Sequence, residues 1–177
     1  MKMSGDPRIA ASALIGAGDP VYAALSYGLG FAGVMPAPVP VPALLLEGDA
    51  DVFTWLTGGP GANYARLVAP KYWVQLAAAP HVWFGNRDHV PPDDRNPDCD
   101  WFEANAGMVP PICRQRRPLI EPARQKEITR EALLAFFDAH LKGDEAARKR
   151  LLSLGERAPE VTLRYEVPKA PVAAGAP

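Results

Sequence analysis

The stretch "VPALLLEGDADVF", residues 41–53, decides how the rest of the chain is read. A run of aliphatic side chains stops at Gly48, and two carboxylates, Asp49 and Asp51, follow at once. A short, unbroken apolar run reads as a strand buried on both faces, the kind found inside a parallel sheet. Pro42 is tolerated because it falls on the first residue. Carboxylates just beyond such a strand stand where α/β sheets place their functional groups.

Working outward, "RIAASALIG" reads as a second strand buried on both faces, over residues 8–15. Asp6 and Arg8 interrupt the apolar N-terminal stretch, which favours a strand over a leader peptide. Residues 19–42, rich in Gly and Pro, read as a loop with room for one short helix. In "GGPGANYARLVAP", Pro60 is placed to open a helix that Pro70 ends. "KYWVQLAAA" is a third strand, and residues 82–125 read as a long irregular segment. "KEITREALLAFFDAHLKG" is a helix with Leu133, Leu134, Phe137 and Leu141 on one face and Gly143 as its stop. A charged helix follows over 144–154. "VTLRYEV" reads as a late edge strand and "PKAPVAAGAP" as disorder.

The order strand, loop, strand, helix, strand, helix predicts an α/β fold, a mostly parallel sheet flanked by helices. Residues 1–155 form its domain, and 156–177 a tail. Of the 177 residues, 48% are hydrophobic and 22% charged, with a formal net charge of −1. That balance offers no electrostatic footprint for nucleic acid. No apolar run reaches the length of a membrane span.

The third strand also ends in chemistry, since "QLAAAPHVWF" runs through small residues into Pro80 and His81. The stretch from Asp51 to His81 accommodates a turn, a short helix and a return strand, so acid and imidazole can meet at one sheet edge. A carboxylate beside a histidine accepts the Nδ1 proton, fixes the tautomer and steadies the imidazolium. Nε2 is then free to activate a hydroxyl or thiol. Asp49 is the rival acid. Both carboxylates could instead merely cap the turn and helix that follow.

"PALLLEGDAD", "PKYWVQLAAAPHVWF" and "ITREALLAFFDAHLKGD", taken in order, resemble the last third of an α/β-hydrolase. The resemblance is to dienelactone-hydrolase-like esterases, and beyond them to platelet-activating-factor acetylhydrolases and polyester-degrading cutinases. "DPRIAASALIG" is similar to the strand that follows the nucleophile helix in that family, so the likeness covers most of 6–145. Gly48 to Asp51 matches the family's Gly-x-x-Asp, and Ala79-Pro80-His81 its small-residue turn before histidine. The resemblance implies a small-molecule ester substrate, serine-dependent hydrolysis through an acyl-enzyme, Asp51 and His81 as acid and base, and no metal or organic cofactor.

The family's nucleophile sits in Gly-x-Ser-x-Gly. Ser4 has no strand before it, Ser12 is mid-strand, and Ser153 follows the histidine. Ser26, in "ALSYG", is a partial match with a poor helix after it, and Asp51 follows too soon for the intervening helix and strand. Cys99 and Cys113 come after His81, out of order for a nucleophile. The expectation is a C-terminal portion lacking the N-terminal strands and nucleophile elbow, inactive alone, with the serine upstream of Met1. Such a portion would associate through its exposed sheet edge, with the missing N-terminal half or with itself. The alternative is a non-catalytic interaction module derived from a hydrolase.

In "HVWFGNRDHVPPDDRNPDCD" the His, Cys and Asp residues fit no compact zinc spacing, and a solvated acidic loop is the reading, with calcium a lesser option. Cys99 and Cys113 are a disulfide candidate, which would fit an exported chain, against two free thiols. Trp83, Phe84, Trp101 and Phe102 are candidates for a pocket wall or for ordinary loop packing. "CRQRRPLIEPARQK" is a solvated basic face. His140 lies near a helix C-terminus and needs no catalytic role.

Overall fold

A computed structural model describes residues 8–17, 41–107 and 109–168. Its centre is a four-stranded mixed sheet in the order β1 (Ser12–Ile15), β2 (Ala43–Gly48), β3 (Lys71–Leu76), β4 (Val161–Glu166). β1, β2 and β3 are parallel, and β4 returns antiparallel to β3 along its whole length. Helices flank the sheet, giving an α/β arrangement. They are α1 (Val52–Leu56), α2 (Pro97–Ala106), α3 (Pro122–Leu141), α4 (Glu145–Leu152) and α5 (Leu154–Arg157). No helix of the described residues is long and apolar enough to cross a membrane.

β2 is buried at every residue, as an aliphatic run between two parallel neighbours should be. β1 departs from expectation. It is shorter than 8–15 and not buried on both faces, with Ile15 39% exposed. Among the described residues it has a neighbour on one side only. The loop read over 19–42, apart from its last two residues, and the tail from 169 onward lie outside the described residues.

The helix expected between Pro60 and Pro70 is replaced by a 3-10 turn at Tyr64–Arg66. Gly58, Gly59 and Gly61 all have positive φ, which an α-helix cannot continue through. The helix comes earlier, as α1, with Asp51 as its N-cap accepting from Thr54 N at 2.8 Å.

The segment expected to be irregular over 82–125 contains α2. Asn96 caps it, Pro97 takes its first position, and Asp98 and Asp100 occupy its first turn. Cap, proline and acids together are a helix-start signal that the surrounding prolines obscured.

α3 packs on the sheet through Ile128, Ala132, Ala135, Phe136 and Ala139, against Leu44, Leu46, Tyr72 and Val74. The face expected from Leu133, Leu134, Phe137 and Leu141 is not the buried one, and Leu134 and Leu141 are more than half exposed. Alanines let the helix approach the sheet closely, and the large residues flank that seam. Gly143 stops α3 with φ 68°, and Asp144 caps α4.

On the other face of β2, Glu47 is fully buried. Its Oε2 accepts from Gly61 N at 2.6 Å and Trp73 Nε1 at 3.1 Å, while Oε1 finds no hydrogen-bond partner among the described residues. Burial pushes its pKa up to about 7, against the pull of the two donors. The folded protein therefore holds a proton there that the unfolded chain releases nearer 4.5. Stability from this group is full below about pH 4.5 and is lost as pH rises to about 7, by at most about 3 kcal/mol. Glu47→Gln should remove that slope, and its denaturation midpoint should exceed the parent's above neutral pH and match it in acid. Urea titrations at the two pH values measure the difference.

Candidate active site

Three parallel strands deliver their carboxyl ends to one place. β1 leads into Gly16, where a Cβ would lie 2.6 Å from His81 Nδ1 and 3.2 Å from Asp51 Oδ2. Gly16 has φ 57°, so the position needs glycine for both conformation and space. β2 leads through Gly48 into Asp51, and β3 through Ala77–Pro80 into His81. A close passage of the two exits brings acid and imidazole together, since a Cβ on Gly48 would fall 1.8 Å from Ala79 O.

His81 Nδ1 and Asp51 Oδ2 are 2.9 Å apart. An ionised carboxylate can only accept, so the ring donates from Nδ1. Asp51 is fully buried, and its other oxygen takes the Thr54 amide. The imidazole is one-third exposed, and no described residue bonds its Nε2. Burial opposes the imidazolium, but the hydrogen bond to Asp51 and the charges of Asp51 and Asp98 prevail and hold the His81 pKa above its ordinary value. Asp49 does not join this pair. It accepts from Ala78 N at 2.6 Å and pairs with Arg117 at 2.7 Å, fastening the two strand exits together.

No family model, curated protein or solved structure matches the chain. What the site can do rests on its geometry.

The wall beside His81 is aromatic. Phe53 lies against the imidazole with centroids 4.4 Å apart, and Trp101 and Phe102 pack on Phe53 at 4.8 and 4.6 Å. Trp101 and Phe102 are thus close to the pair. Trp83 is not part of this wall. It is 1% exposed, belongs to the main core and donates its indole N–H to His89 O. Phe84 packs from the side against that same core. Phe53 was not singled out from the sequence: it lies on the short helix α1, which begins well before the helix expected from Pro60.

Cys99 and Cys113 are joined in a disulfide, which closes the loop that follows α2 and packs with Val52 and Phe102. Arg95 bridges Asp100 and Glu103, so part of the acidic segment is spent on ion pairs. Among the described residues no cluster of three or more His, Cys, Asp or Glu could hold a metal ion. His140 sits by Tyr72 Oη at 3.1 Å on the far side of the sheet core, and burial lowers its pKa.

Neither described serine can reach the imidazole. Ser12 opens β1, in register with Ala43, about 13 Å of strand from Gly16. Ser153 ends α4 and donates to Lys149 O. Ser4 and Ser26 lie outside the described residues.

Proposed function

We propose that this chain supplies the acid and base of a serine-dependent carboxylic ester hydrolase of the α/β-hydrolase type, related to dienelactone-hydrolase-like esterases. One observation carries the reading: a fully buried carboxylate accepts Nδ1–H of an imidazole whose Nε2 has no hydrogen-bond partner among the described residues. That arrangement makes Nε2 a base and fixes its orientation.

In the reaction, a seryl hydroxyl attacks the ester carbonyl and gives its proton to His81 Nε2. Asp51 steadies the imidazolium. His81 then returns the proton to the departing alkoxide, leaving an acyl-enzyme and a free alcohol. Water repeats the cycle to release the acid. Neither described serine reaches His81, so the nucleophile of this reading comes from outside the described residues. Phe53 and Trp101 offer an apolar surface beside the reacting atoms for an acyl or alcohol group. The disulfide fits an oxidising compartment.

The test is hydrolysis of a chromogenic acyl ester by the 177-residue chain and by the chain extended with the codons preceding Met1. In whichever of the two turns over, His81→Ala should lower the rate by about 10⁴-fold or more. Turnover that survives His81→Ala would refute the reading. A second reading, a non-catalytic interaction module, draws on the outer edge of β1, which is unpaired among the described residues. It takes precedence if the extended chain is also inert toward esters.

A further inference from the structure

We propose that Asp98 is the positioning residue of the site: its single carboxylate locks the two loops that carry Asp51 and His81 into one register. This rests on reading Asp51 and His81 as the acid–base pair. Asp98 Oδ2 accepts from His81 N at 2.8 Å and from Val52 N at 3.0 Å, and Oδ1 accepts from Val82 N at 2.9 Å. One group therefore holds the amide of the histidine itself, the amide after it, and the amide after the aspartate. The carboxylate is fully buried. Losing this acceptor removes at one stroke the bonds that hold both loops, the buried Val52 amide among them.

Asp98 is itself held from both sides. Asn96 accepts from Asp98 N at 2.9 Å and donates to Ala50 O at 2.7 Å, which ties the start of α2 to the Asp51 loop. The neighbouring Cys99 is anchored by its disulfide to Cys113. One turn on, Phe102 presses on Phe53, which presses on the His81 ring. α2 thus fixes the pair twice, through the backbone behind it and through the ring beside it. No charge of Asp98 need touch a substrate for this.

The experiment is a double-mutant cycle read on the His81 pKa by NMR, in the 177-residue chain, which has only three histidines to assign. Asp51→Asn is measured in the parent and in the Asp98→Asn background. Asparagine keeps the shape but replaces one acceptor oxygen with an amide NH₂, which cannot accept from the N–H it faces. If Asp98 sets the geometry, Asp51→Asn should shift the His81 pKa much less once Asp98 is replaced, because the pair is already uncoupled. Equal shifts in the two backgrounds would overturn the proposal, since a through-space charge effect simply adds. Circular dichroism and melting establish that Asp98→Asn folds. Should it not fold, Asp98→Ser, which retains one acceptor oxygen without added bulk, is read in the same cycle. Failure of both to fold would make Asp98 a folding residue and overturn its positioning role. The titration needs no turnover, so a coupled pair in a protein inert to esters would remove the esterase reading while leaving this geometry in place.

Discussion

Gly48→Ala is expected to destabilise the fold by more than about 4 kcal/mol, enough to leave little native protein. A Cβ at this position would lie 1.8 Å from Ala79 O and 2.9 Å from Ala79 Cβ, so backbone must move. Gly48 has no slack of its own, being paired with Leu76 at the end of β2. The opposing loop has none either. Ala77 N donates to Glu160 O, Ala78 N to Asp49 Oδ1, and Ala78 O accepts from Ile120 N. Pro80 O accepts from Gln125 Nε2, and His81 N donates to Asp98. Relieving one overlap therefore breaks several hydrogen bonds, each worth about 1 kcal/mol. Urea denaturation should show a collapsed midpoint and a shallower transition. A midpoint equal to the parent's would mean that the two strand exits do not pass so closely.

That close passage is also why part of the site could be read from sequence. The aliphatic run before Gly48 and the aromatic-to-small gradient before His81 each declare a strand and its end. Carboxylate and imidazole were therefore legible as a pair, although the choice of Asp51 over Asp49 came from the Gly-x-x-Asp resemblance and not from the strand itself. Both follow the same strand, and only the turn decides which one faces the imidazole. α1 was hidden because five residues are too few to display a period. The seam of α3 was misread because its buried stripe is mostly alanine, while the eye follows leucines. Asp98 was illegible for a deeper reason. Its partners are backbone amides, which carry no mark in a sequence, and two of them are 17 and 46 positions away.

Asp51→Asn should lower the His81 pKa and cut ester turnover of the extended chain by about 10⁴-fold, with the fold preserved. The replacement keeps the oxygen that accepts from Thr54 N, so α1 keeps its cap. The other position becomes an amide NH₂ facing His81 Nδ1. Because that group only donates, the imidazole must present a lone pair at Nδ1 and carry its proton on Nε2. A protonated Nε2 cannot take a proton from a hydroxyl, so the ring is in place but in the wrong tautomer. The pKa falls because the hydrogen bond and the nearest charge are gone while burial, the largest influence and one that disfavours the cation, remains. Stability should follow the same sign. In the parent, the raised His81 pKa contributes stability that is full below the unfolded value of about 6.5 and is lost as pH rises through the folded value. The parent's advantage over Asp51→Asn from this source should therefore be larger in mild acid than in mild base. NMR titration of the ring protons reads the pKa directly. An unmoved pKa would mean that the carboxylate is a helix cap and nothing more, and the acid–base pair would lose its acid.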